Sequence, residues 1–120
     1  MNFRQLKKSL IDSSNTNSFD NKTLSQLTTA WRQPGATRAM LNWYRAALRR
    51  PVIADNLSIS CPVRILWGEN DIALSKEMAQ LSTQYCENAE LTYYPDGTHW
   101  LTHDHPKRVA EEIIRFCDAH

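Results

Sequence analysis

VRILWGEND, residues 63 to 71, is a short apolar run rich in β-branched residues and stopped by a glycine, the pattern of a buried strand. AELTYY at 89 to 94 has the same character and leads into PDGTHW at 95 to 100. Between the two, SKEMAQLSTQYC (75 to 86) puts Met78, Leu81 and Tyr85 on one helical face. After them, PKRVAEEIIRFC (106 to 117) places Pro106 where a helix favours proline, at its first position. Strand, helix, strand, helix is the alternation of a parallel sheet covered by helices, so the predicted fold class is α/β.

In such a unit, ligands and reactive groups gather past the C-terminal ends of the strands, where loops converge over a crevice. Both strand ends here carry a titratable residue: Asp71 beyond Trp67, and His99 beyond Tyr94. Neighbouring parallel strands lie about 4.8 Å apart, so loops of similar length bring an acid and an imidazole within hydrogen-bond reach. A carboxylate holding a histidine is the orienting half of a catalytic triad. Taken singly, each residue also reads as ordinary loop chemistry, Asp71 as the acceptor of an Asx turn and His99 as a satisfied loop side chain. HWLTHDHP offers His99, His103 and His105 as a metal cluster, but no Cys or Glu joins them at a recognised spacing, so no metal site is assigned. Trp100 reads as packing for the loop beside His99 or as a pocket wall. Asp104 suits the positive N-terminal end of the last helix.

Upstream the texture is helical. FRQLKKSLI (3 to 11) spaces Phe3, Leu6 and Leu10 as a short helix, and the polar run DSSNTNS after it reads as a loop. Asp20 is placed to cap NKTLSQLTTAW, whose Leu24, Leu27 and Trp31 share a face. QPG interrupts, and ATRAMLNWYRAALRR then carries Met40, Leu41, Tyr44 and Leu48 as far as Pro51. The organisation expected is a helical part over 1–50, a linker over 51–61 with no periodicity, and an α/β part over 62–120.

A net charge of +1 gives no field to recruit nucleic acid or an anionic membrane, and RAALRR at 45 to 50 reads as the solvated, cation-favouring end of a helix. Nothing approaches the roughly 20 apolar residues of a membrane span, and MNFRQLKKSL mixes charge into its apolar positions unlike a secretory signal. Cys61, Cys86 and Cys117 are odd in number and far apart, so reduced and mostly buried thiols in a cytoplasmic protein are expected. No cofactor-binding motif is present, and no cofactor is expected.

CPVRILWGENDIAL followed by LTYYPDGTHWLTHDHPKRVAEEIIRFC resembles the last two strands and last two helices of α/β-hydrolase-fold enzymes. WRQPGATRAMLNWYRA is similar to the end of the helical cap in the epoxide hydrolase branch, and this pairing favours that branch over dehalogenases or esterases. The resemblance implies a partial α/β-hydrolase fold with a helical cap remnant over 1–50. It implies Asp71 as the charge-relay acid, His99 as the water-activating base and Tyr44 as a cap phenol that hydrogen-bonds an epoxide oxygen. Trp43 and Trp100 are then candidates for the pocket wall. One departure is large: such enzymes carry a nucleophile on a glycine-flanked elbow, and none of Gly35, Gly68 and Gly97 flanks one. The chain is therefore expected to be a fragment, inactive alone, that acts on a small apolar substrate only when an N-terminal half complements it. Self-association through the unpaired strand edge at 62–67 is also expected. The alternatives are a non-catalytic interaction or ligand-binding module, and a dehalogenase-like hydrolase fragment.

Overall fold

The computed structural model describes residues 3–49 and 58–120. The chain runs α1 (Arg4–Asp12), α2 (Asn21–Trp31), α3 (Ala36–Arg49), β1 (Val63–Gly68), α4 (Glu77–Thr83), β2 (Ala89–Tyr94), α5 (Leu101–Asp104) and α6 (Pro106–Ala119). β1 and β2 pair in parallel from Val63 opposite Ala89 to Gly68 opposite Tyr94. Because the strands end level, the loops that leave them start side by side.

The core beneath this ladder is small. Tyr94, Leu101 and Val109 are buried together with Leu66 packed on them, and Ala79 brings α4 onto the sheet with no exposed surface at all. Arg64, on β1, crosses to α6 and donates from Nη2 to Glu112 at 2.5 Å and to Thr92 Oγ1 at 3.1 Å, and its Nη1 pairs with Glu90. This ties strand to helix where apolar contact is sparse.

The N-terminal helices form from local signals. Asp20 accepts from Thr23 N at 2.7 Å, supplying the cap for α2. Leu24 is buried, and Phe3 meets Trp31 at 5.6 Å between ring centroids, closing α1 onto α2. α3 is different: Met40, Leu41, Trp43, Tyr44 and Leu48 are all exposed, Leu48 by 87%. Its apolar stripe is a helix face without cover among the described residues.

Several expectations are corrected. The helix expected over 75–86 is confined to Glu77–Thr83, because the N–H groups of Gln84, Tyr85 and Cys86 bond three residues back and the Tyr85 carbonyl is taken by Ile59 N at 2.7 Å. Met78, Leu81 and Tyr85, which the spacing puts on one helical face, are about half exposed, and the buried contact is made by Ala79. α5 was not anticipated. Of the linker expected over 51–61, residues 51–57 lie outside the described residues, and Ile59 forms a parallel bridge to Cys86. The cysteines are free as expected, but Cys61 and Cys117 are exposed rather than buried. Cys61 precedes the ladder and Cys117 lies on an uncovered face of α6, so neither reaches the core.

Candidate active site

The two strand-end loops are bound directly to each other through backbone and side-chain hydrogen bonds. Glu69 N donates to Tyr94 O at 3.0 Å, Asn70 N to Gly97 O at 2.9 Å, and Asn70 Nδ2 to Pro95 O at 2.7 Å. Gly68 and Gly97 permit this approach. A Cβ on Gly68 would overlap Thr98 O and stand 2.6 and 2.7 Å from Gly97 C and O, and one on Gly97 would lie 3.2 Å from Gly68 Cα. The glycines of WGEND and PDGTHW thus serve one purpose, backbone contact at the sheet's C-terminal edge.

On this joined platform the structure brings Asp71 and His99 together, with His99 Nδ1 at 2.9 Å from Asp71 Oδ2. Asp71's other oxygen accepts from Ala73 N at 2.7 Å and Leu74 N at 2.9 Å, an Asx arrangement that fixes the carboxylate plane. Asp71 thus serves as an Asx acceptor through one oxygen and meets His99 through the other. The Asp71 side chain is 8% exposed and that of His99 36%, so the acid is sheltered while the imidazole reaches solvent.

Burial pushes the Asp71 carboxyl up, but the hydrogen bonds from His99, Leu74 N and Ala73 N outweigh it and hold the group below the ordinary carboxylate range. An ionised carboxylate only accepts, so Nδ1 carries the proton of this hydrogen bond. In the neutral imidazole, Nε2 is then left with a free lone pair. The arrangement can take a proton from a water at Nε2 and stabilise the resulting imidazolium.

The loop that presents His99 is fastened on three sides. Arg108 holds Asp96 with Nη1 at 3.2 and 3.1 Å from its two oxygens, and Asn15 Nδ2 donates to Asp96 O at 2.5 Å. Trp100 stands edge-on to the His99 ring at 5.1 Å, and its Nε1 donates to Ser13 Oγ at 2.8 Å. Phe19 meets Trp100 at 5.5 Å and His103 at 4.4 Å. Residues 13 to 19, readable in sequence only as a polar loop, are therefore a docking segment for the histidine loop. A phenylalanine closing a run of short polar residues was their one visible signal.

The three histidines of HWLTHDHP are used separately. His99 faces Asp71, His103 lies tilted against the Phe19 ring, and His105 Nε2 lies 3.1 Å from Asp96 O. Among the described residues no three His, Cys, Asp or Glu side chains are grouped to hold a metal ion. Asp104, expected at the N-terminal end of α6, instead turns its carboxylate to Thr98, Asn15 and Ser18. Tyr44 and Trp43 are 64% and 71% exposed and meet each other edge to face at 5.2 Å. No hydrogen bond or ring contact joins either of them to Asp71 or His99. Among the described residues, no helix is long and apolar enough to cross a membrane.

No protein-family model matches the chain. An AB hydrolase superfamily protein of Bacillus subtilis, YfhM, is 37% identical over 99 residues, 82% of this chain and 34% of its own length. Epoxide hydrolase 2 of Caenorhabditis elegans is 36% identical across 74% of this chain and 26% of its own, and human epoxide hydrolase 4 is 34% identical across 70% and 23%. The chain thus spans about a third or less of these relatives. A Bacillus megaterium epoxide hydrolase crystallised with an inhibitor shares the fold, with a TM-score of 0.78 over 96% of this chain and 43% of that one at 20% identity. The chain belongs to the α/β-hydrolase superfamily, in its epoxide hydrolase branch, and corresponds to the C-terminal part of that fold.

Proposed function

We propose that Asp71 and His99 are the water-activating pair of an epoxide hydrolase-type enzyme, and that this chain supplies that pair without the nucleophile it serves. The observation that carries the reading is the 2.9 Å contact between His99 Nδ1 and Asp71 Oδ2 at the level ends of adjacent parallel strands. In the proposed reaction, a carboxylate outside this chain attacks an epoxide carbon to form an ester. Tyr44, on the cap helix α3, protonates the alkoxide that the opened ring leaves. His99 Nε2 then takes a proton from the water that attacks the ester carbonyl, and Asp71 stabilises the imidazolium; the acyl C–O bond breaks to release the diol and regenerate the carboxylate, and the imidazolium proton returns through solvent to the Tyr44 phenolate.

The substrate class is a small apolar epoxide, and the chain alone is inactive. Styrene oxide tests this. No diol is expected from the isolated chain, and diol formation is expected on mixing with an N-terminal half that carries a glycine-flanked Asp elbow. That activity is expected to disappear in Asp71→Asn and His99→Gln. Turnover by the isolated chain, or complemented turnover indifferent to both substitutions, defeats the proposal. In the absence of a complement, we infer self-association through the free edge of β1, which has a strand neighbour on one side only among the described residues. A stable monomer across micromolar concentrations in sedimentation would refute it.

The uncovered stripe of α3 favours one second reading, a non-catalytic interaction module. A partner or apolar ligand that raises the melting temperature by mass action, with no complement ever giving turnover, would support that reading over the first.

A further inference from the structure

The carboxylate of Asp104 divides its two oxygens between two distant parts of the chain. Oδ2 accepts from Thr98 N at 2.8 Å and from Thr98 Oγ1 at 2.6 Å, on the residue immediately before His99. Oδ1 accepts from Asn15 N at 3.2 Å and from Ser18 Oγ at 2.5 Å, on the segment between α1 and α2. Asn17, whose φ of +70° is in the left-handed region that Asn tolerates, turns that segment so that both donors converge. Thr98 is buried at 8% exposure, and its hydroxyl also accepts from Trp100 N at 3.2 Å. The peptide carrying His99 is thereby held on both flanks through one side chain.

We propose that Asp104 is a positioning residue for His99: by clamping Thr98 and the 13–19 segment to one carboxylate, it sets the His99 backbone so that Nδ1 meets Asp71. This deepens the reading of Asp71 and His99 as a water-activating pair and rests on it. Two features of the carboxylate support the role. It has acceptor capacity for all four donors, which neither Asn nor Ser could match without turning a donor toward a donor. It also stays ionised: burial pushes Asp104 up, and the bonds from Ser18, Thr98 and Asn15 outweigh it and hold the group below the ordinary range.

The test reads the His99 tautomer in the whole chain by ring-nitrogen NMR shifts at alkaline pH. The unsubstituted chain is expected to show Nδ1 fully protonated. Asp104→Asn is expected to draw the two ring-nitrogen shifts together, as in a free imidazole, with far-ultraviolet circular dichroism unchanged. Thr98→Val, which keeps the amide donor and removes the hydroxyl, is expected to move them the same way by less, and it replaces Asp104→Asn if that variant does not fold. Ser18→Ala leaves the Thr98 arm intact and is expected to keep the tautomer while hastening amide exchange at Phe19. Val109→Ala is the control that lowers stability without touching the loop. If Asp104→Asn and Thr98→Val move the tautomer no more than Val109→Ala does, Asp104 is a structural clamp only and the proposal is overturned. Asp71→Asn separates the two claims, since an unchanged tautomer there refutes the pairing of Asp71 with His99 itself.

Discussion

Gly68→Ala is the substitution on which the close approach of the two loops can be judged. The added methyl would overlap Thr98 O and stand 2.6 and 2.7 Å from Gly97 C and O. All three are backbone atoms, with no flexible side chain to swing away. Carbon contacts are relaxed near 3.5 Å, so one loop must retreat by roughly 1 Å. Overpacking of this kind costs about 1–3 kcal/mol. The retreat also stretches the Asn70 N to Gly97 O hydrogen bond, now 2.9 Å, worth about 1 kcal/mol. Together these give about 2–4 kcal/mol, which in a domain of this size lowers the melting temperature by roughly 10 °C. The same movement carries Thr98 and His99 away from Asp71, so the Nδ1-protonated tautomer is expected to be lost along with stability. Thermal unfolding and the ring-nitrogen shifts measure the two effects on one sample. Gly97→Ala is expected to cost less, because its nearest neighbour at 2.6 Å is the movable Leu101 Cδ1. If Gly68→Ala melts within about 2 °C of the parent and keeps the tautomer, the loops are not in the contact described and the reasoning fails.

Three further outcomes follow from the same contacts. Asp71 and Asp104 both titrate below their ordinary value of 3.8, so the stability they contribute is present above that pH and is lost as pH falls through their lowered folded values; the gap in melting temperature between the parent and Asp104→Asn should be widest near neutrality and close as pH drops below about 4. Glu112→Ala should lower the melting temperature more than Glu90→Ala, since both face Arg64 but Glu112 is 17% exposed against 55% for Glu90, and losing the sheltered partner of a sheltered guanidinium is costlier than losing the solvated one. Trp100→Phe keeps a ring against Phe19 and removes only the indole donation to Ser13, so it should cost about 1 kcal/mol in urea unfolding and loosen residues 13 to 19.

How much was legible in the sequence depended on how local each signal was. The strands, the helix beginning at Pro106 and the Asp20 cap are written in short windows, and the structure has them. The level placement of Asp71 and His99 could be argued because strand-end position needs only the strand boundaries. Burial could not. Met78, Leu81 and Tyr85 have the right spacing for a core face, but α4 meets the sheet through Ala79 and leaves them half exposed. Periodicity names a face and not what covers it. The Asp104 clamp was invisible for a different reason: Asn15 and Ser18 lie more than 80 residues away and match no motif. A carboxylate at a helix start invites the dipole explanation, whereas four donors at hydrogen-bond distance outweigh a terminus whose effect is typically below 1 kcal/mol.

The contrast between the Asp71–His99 pair and Tyr44 follows from the same distinction. Among the described residues, the contacts that orient the pair are made within β1, β2, the loops after them, the Asp104 bridge, residues 13 to 19 and Arg108 of α6. On the proposed reading the base can therefore be set without a complement, and its tautomer should be the same before and after one binds. Tyr44 stands on a helix whose apolar stripe is open, with Trp43 as its ring neighbour. On the proposed reading a complementing segment then has two separate tasks, to bring the nucleophile and to cover α3 so that the phenol is directed at the epoxide. The two tasks predict different kinetics in the complemented enzyme. Tyr44→Phe should slow formation of the covalent ester, the step in which the ring opens, while His99→Gln should leave that step intact and cause the ester to accumulate. Rapid-quench trapping of the intermediate distinguishes them, and an ester that fails to accumulate in His99→Gln would remove His99 from the hydrolytic step.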